Sequence, residues 1–182
     1  MARTTFQGPV RSLGGIYQQG PASVVTITSS TTLDPVAHGG RIISVGGALA
    51  ATTTLTLPTI NTSSNPITSG PGQDPSTSNN LGVVYTIWVP TTITTSTLKI
   101  ATNGTGDLFV GDLLGVDTDS SNALVAYTAL AANSFDNINL NGGTTGGVAG
   151  TQIQIVAVAA NTYMVKGVVN GSGVVATPFS TT

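Results

Sequence analysis

The chain has no cysteine and no glutamate, one histidine and one tryptophan, and only 7% of its 182 residues are charged, against about 25% in an ordinary soluble domain. Each shortage excludes something. Without cysteine there is neither a disulfide framework nor a thiolate metal site, so stability has to come from packing, strand pairing or association. The basic residues are Arg3, Arg11, Arg41, Lys99 and Lys166, too few and too scattered to neutralise a run of phosphates, so nucleic acid is not an expected partner. The acids are seven aspartates, giving a net charge of −2. Disordered chains pair low hydropathy with high charge, whereas the mean hydropathy here is +0.29, the balance of a chain that folds. The opening MARTTFQGPVRSLGG has no signal-peptide apolar run, and no stretch approaches the ~20 apolar residues of a membrane span. The expectation is a soluble protein made in a cytosol, with no membrane partner.

Threonine, valine, isoleucine, glycine and asparagine dominate instead, a composition that favours strands over exposed helix. Residues 52–58, TTTLTLP, alternate leucine with threonine at the period of a strand with one buried face. Residues 23–29, 40–45, 83–89, 97–101, 107–111, 113–116, 123–130, 134–141, 152–159 and 163–169 complete ten or eleven expected short strands. They are separated by turn signals about every ten residues, the spacing of a sandwich or barrel. The most apolar is 83–89, VVYTIWV, expected in the middle of the core with Trp88 buried. Residues 122–132, NALVAYTALAA, tolerate helix or strand, and strand is the expectation. Asn103-Gly104, Asn141-Gly142 and Asn170-Gly171 read as tight turns. The fold class that follows is a single all-β domain, an antiparallel β-sandwich or jelly-roll-like barrel, over residues 23–182.

Two segments differ. Residues 1–22 contain Gly8-Pro9 and Gly20-Pro21 as breakers and apolar side chains without a steady period. Residues 58–80 form a long polar insertion with four prolines. Both read either as disordered or as arms that order against a neighbouring subunit, since proline lowers the entropy lost on fixing an extended segment. In the second reading residues 1–22 are a docking arm whose partner contacts are Arg3, Phe6, Val10, Arg11, Leu13, Ile16 and Tyr17. The threonine-rich, charge-poor segments 52–58 and 91–100 would tolerate burial against a symmetry mate.

Catalytic patterns are sparse. His38 has Asp34 four residues earlier but no nucleophile elbow, and a carboxylate pair for glycoside cleavage would have to come from aspartates alone. Asp107, Asp112, Asp117 and Asp119 concentrate acid locally, and DTDSSN at 117–122 starts like a calcium loop. It lacks the glycine at position six and the glutamate at position twelve, so an EF-hand is rejected and a solvated loop is the plainer reading. GGTTGG at 142–147 has no following lysine and reads as a hairpin, not a phosphate cradle. No enzyme activity, cofactor or metal is expected.

The opening ARTTFQGPVRSLGG, the LTLPTIN signature and the blocks NINLNGGTTGGVAGTQIQIVAV, NTYMVKGVV and GVVATPFS together resemble virion structural proteins of tailed bacteriophages, particularly marine phages of cyanobacteria. The resemblance implies a capsid decoration or cement protein, a homotrimer on the outer capsid surface of the virion that binds the major capsid protein and stabilises the head. A tail or fibre module is the alternative within the structural class. A carbohydrate-binding or carbohydrate-cleaving β-domain is the alternative outside it.

Overall fold

In a computed structural model the described residues are 20–62, 79–103, 106–119 and 123–182. Among them the chain forms twelve strands. These are β1 (Val24–Thr26), β2 (Thr31–Thr32), β3 (Ile42–Ser44), β4 (Thr53–Thr56), β5 (Val84–Trp88), β6 (Leu98–Ala101), β7 (Leu108–Asp117), β8 (Leu124–Ala129), β9 (Asn137–Leu140), β10 (Gln152–Ala159), β11 (Thr162–Gly171) and β12 (Phe179–Ser180). They make a seven-stranded sheet, β1-β3-β5-β10-β11-β7-β8, and a five-stranded sheet, β12-β9-β6-β4-β2. The all-β expectation holds, and the ambiguous segment 122–132 supplies strand β8.

Both sheets are mixed, where antiparallel pairing was expected. From β1 to β6 the chain alternates between them: β1, β3 and β5 pair in parallel in the first sheet, and β2, β4 and β6 in parallel in the second. Antiparallel neighbours are joined by tight hairpins, whereas a strand that returns to its own sheet after a crossover runs parallel to its predecessor. Here the crossover is itself a strand of the other sheet, so the first half of the domain winds like a short coil. The second half adds the antiparallel pairs β5–β10, β10–β11, β7–β8, β6–β9 and β9–β12, and the long parallel pair β7–β11.

Period-2 burial follows from the pleat. In the larger sheet one register row carries Ile43, Ile87, Ile153 and, across Gly167, Leu113, and in the smaller one Leu55, Ile100, Ile138 and Phe179 lie side by side. All eight are buried in one core cluster.

Three local differences from the sequence reading have physical causes. Residues 107–116 were split at Gly111-Asp112, yet β7 is continuous, because Gly111 takes φ 136° and lies against the Val165 carbonyl so closely that a Cβ would collide with it. Asn170-Gly171 is no turn: the two residues are the last rungs of β11, paired with Val116 and Asp117, and the Asn170 amide is held by the Thr151 hydroxyl at 3.0 Å. Trp88 is 41% exposed rather than buried, since it is Tyr85, Ile87 and Val89 that point into the core. Asn141-Gly142 is the turn it was read to be, with Gly142 at φ 73° and the Asn141 side chain accepting the amides of Gly143 and Thr145. Gly104, in the remaining pair, lies outside the described residues.

Candidate functional site

Arg3, Phe6, Val10, Arg11, Leu13, Ile16 and Tyr17 all lie outside the described residues, as do residues 63–78 of the proline-rich insertion. The ends of that insertion are described, and they are pinned from within the domain. Buried Asn80 donates to the Thr59 carbonyl and accepts the Asn61 amide, both at 2.9 Å. Buried Asp107 accepts the Ile60 amide at 3.1 Å, and the Tyr163 hydroxyl donates to the Pro58 carbonyl. The same segment borders an open cleft of about 960 Å³, lined by Leu33, Asp34, Pro58, Ile60 and Asn103 among others. Behind it, burial pushes the Tyr85 hydroxyl well above the usual phenol range, with the Asp34 charge adding to the effect. Tyr163 is raised by burial first, then by Tyr85 and Asp107. Both phenols therefore stay neutral and hold hydrogen at any physiological pH.

The sequence-nominated acid and histidine positions resolve into structural roles. Asp34 and His38 close a single turn. The Asp34 carboxylate accepts the amides of Val36 and Ala37 at 2.7 and 2.8 Å, while the His38 ring nitrogen Nδ1 accepts the Asp34 amide at 2.8 Å. The carboxylate is thus engaged with backbone, and the imidazole is oriented by an amide rather than by an acid, unlike a catalytic pair. The four aspartates of the 107–119 region do not converge. Asp107 serves the Ile60 amide, Asp112 accepts the Thr128 hydroxyl, Asp117 accepts the Asp119 amide and Asp119 accepts the Gly173 amide. Among the described residues no group of three or more His or Asp side chains is placed to hold a metal ion. The 142–147 segment is a small hairpin, closed by a bridge between Gly143 and Gly146 and by a Gly142 amide to Gly146 carbonyl bond of 2.8 Å.

What the sequence reading missed is a surface. The outward side chains of the five-stranded sheet are mostly polar: Thr54, Thr56, Lys99 and Asn139 stand there with Ala101, and Asn139 donates to the Ser180 hydroxyl at 2.8 Å. The outward side of the seven-stranded sheet is different. One of its register rows carries Val84, Val156, Met164 and Val110 across four strands. Another carries Trp88, Gln152, Val168, Leu114 and Ala126 across five. The row between them is polar from β5 to β8, with Thr86, Gln154, Lys166, Asp112 and Thr128, and continues into Ile42 and Val24 on β3 and β1. Val24, Ile42, Trp88, Leu114, Met164 and Val168 are all more than a third exposed. Among the described strand residues, Lys166 and Asp112 are the only charged side chains at these outward positions.

The signal for this surface was present in the text of the sequence. VVYTIWV and LFVGDLLGV are apolar in both phases of the period-2 alternation, where a strand with one solvated face shows apolar residues in one phase only. The first was read as a strand covered on two sides. The cover on the second side is absent from the chain's own described residues, leaving a broad apolar face with a thin polar seam. Compared with known proteins, the chain matches no family model, no curated protein and no solved structure, so the evidence for what it does is this surface and the residues that build it.

Proposed function

We propose that the chain is a non-enzymatic structural protein of a virion, a capsid decoration protein that sits on the outer surface of the shell, binds the major capsid protein and braces the head, with its two sheets stacked as a sandwich. One observation carries the reading: the outward face of the seven-stranded sheet has two largely apolar rows on either side of one polar row, while that of the five-stranded sheet carries threonine, asparagine and Lys99. Monomeric soluble proteins rarely leave contiguous apolar patches beyond a few hundred Å², so a face of this kind belongs to a molecule that works in an assembly. A repeating shell adds multivalency, which turns modest single contacts into firm attachment and raises the stability of whatever it binds. The sequence resemblance to phage virion proteins points the same way, and the reading of residues 1–22 as a docking arm puts the capsid contact at Arg3, Phe6, Val10, Arg11, Leu13, Ile16 and Tyr17.

Purified protein mixed with phage heads that lack it should co-sediment to saturation, give regular added density on the outer shell by electron microscopy, and raise the shell's melting temperature. A chain deleted for residues 1–19 should keep the β-domain's melting temperature and lose attachment. Density at the tail would move the protein to the tail or fibre class, and no density on any particle would refute the virion role. The glycan-binding alternative asks for several exposed aromatics on one face. Among the described residues Trp88 is the one aromatic with an exposed side chain, Tyr85, Tyr163, Phe109 and Phe179 being buried.

A further inference from the structure

We infer that the β10, β11, β7 and β8 part of the outward face of the seven-stranded sheet is covered by a second copy of this chain, packed face to face about a twofold axis that runs along the strands between β11 and β7, with β5, β3 and β1 outside the contact. The inference takes from the preceding proposal only that the protein works in an assembly. Such an axis exchanges the two strands and leaves every register row opposite itself. Met164 of each copy then meets Val110 of the other, and Val168 meets Leu114, since these pairs share rows on β11 and β7. Between them Lys166 meets Asp112, adjacent in register within one chain and brought into reciprocal opposition by the rotation. One step outward, Gln154 of β10 comes opposite Thr128 of β8, which shares its row. The apolar rows face one another with Gln152 brought opposite Ala126, the polar row faces the polar row, and the single cation faces the single anion twice.

The size suits a weak, micromolar pair. The axis lays β10 and β11 of each copy over β8 and β7 of the other, and at about 3.4 Å per residue and about 4.8 Å between strands those four strands cover roughly 550 Å², about 1,100 Å² for the two copies together, at the low end of specific interfaces. Two twisted sheets stacked with their strands nearly aligned is a common solution for face-to-face packing. An isologous contact of this kind also closes on itself, so it makes a discrete pair and not an open array. This places the self-association surface on the larger sheet, away from the threonine-rich segments of the smaller one, and gives twofold symmetry where the family resemblance implied a trimer.

Sedimentation velocity on the purified full chain tests it. At about 10 μM, where a micromolar association is already visible, the protein should sediment at twice its 18.1 kDa chain mass. Lys166→Asp and Asp112→Lys each put like charges opposite one another across the axis and should weaken association at least about tenfold. The double exchange should restore it to within about threefold, and because the two residues are also neighbours within one chain, melting temperatures on dilute protein separate compensation within the chain from compensation across the axis: the exchanges must move association more than they move monomer stability. Leu114→Lys, outward on β7, should give a monomer that melts like the diluted wild type, and it carries the test if either single exchange fails to fold. A wild type that is monomeric or trimeric, or a double exchange as weak as the singles, overturns the inference. A pair in solution that leaves phage heads bare removes the virion proposal and keeps the twofold; a monomer that saturates heads does the reverse.

Discussion

Replacing Thr151 by valine should destabilise the domain by about 2 to 4 kcal/mol, although the two side chains have nearly the same shape. Thr151 is fully buried, and its hydroxyl serves three backbone groups at once. It donates to the Val148 carbonyl at 2.8 Å and accepts the Asn170 amide at 3.0 Å and the Gly147 amide at 3.3 Å. Its own carbonyl accepts the Val89 amide at 2.9 Å, so the residue ties the end of β5, the approach to β10 and the end of β11 together. Valine removes the oxygen and leaves two amides buried without an acceptor, each costing about 1 to 3 kcal/mol, the longer bond counting near the low end. For a chain of this size that corresponds to a fall of roughly 5 to 15 °C in Tm. Thr151→Ser keeps the hydroxyl and gives up one buried methyl, a loss of about 1 kcal/mol. Thermal unfolding followed by circular dichroism, on dilute protein to keep association out of the comparison, should therefore rank wild type above serine above valine. A valine variant melting within about 2 °C of wild type, or below which the serine variant falls, would refute the argument that the hydroxyl rather than the methyl holds this junction.

Two further predictions concern the same core. Gly111→Ala should cost about 3 kcal/mol, from the unfavourable positive φ of an L-residue together with overpacking against the Val165 carbonyl; denaturant midpoints within error of wild type would show that β7 relaxes around the new Cβ. Stability should be level up to about pH 9 and fall above roughly pH 10, because Tyr85 and Tyr163 keep their protons in the folded state while the unfolded chain releases them near the ordinary tyrosine pKa. With folded pKa values raised, the stabilisation is complete below the unfolded pKa and is lost as pH rises, at about 1.4 kcal/mol per pH unit for each tyrosine. Tyr85→Phe, which removes a buried hydroxyl that has no hydrogen-bond partner among the described residues, should reduce that slope in denaturant titrations at pH 8 to 11; an unchanged slope would discount Tyr85.

The strand content of the chain was legible because β-branched and aromatic runs such as VVYTIWV and QIQIVAV have no competing helical period, and the expected boundaries of most strands fall within a few residues of those observed. Strands β2 and β12 were not legible: each is two residues long and is fixed by its neighbour across the sheet, through Thr31 beside Leu55 and Phe179 beside Ile138. Strand direction was hidden for a related reason. Turn residues report that the chain reverses, but they do not report which sheet it enters next, and it is the alternation of β1 to β6 between sheets that makes their neighbours parallel. Asn170-Gly171 shows the limit of the local code most plainly. The dipeptide suits a hairpin on its own, yet a ten-residue parallel ladder to β7 and an acceptor on Thr151 satisfy its backbone as strand, and tertiary pairing overrides the turn preference.

The functional surface followed the opposite logic. Conventional site searches look for polar convergence, and here the polar candidates His38, Asp34 and Asp107 each have a backbone amide to serve or to be oriented by, which is what a folded domain asks of buried or half-buried polar groups. The informative departure was apolar. Burying both phases of a strand is favourable only if something lies on each side, and a fully exposed valine or leucine side chain forgoes roughly 1.5 to 3 kcal/mol that burial would return. Val24, Ile42, Trp88, Leu114, Met164 and Val168, each about two-fifths exposed, repeat part of that loss across one sheet, while Thr54, Thr56 and Asn139 avoid it on the other. The threonine and asparagine that dominate one outward face are confined on the other to a single row, and in the twofold pair proposed above Lys166 beside Asp112 would supply the polar register of the contact.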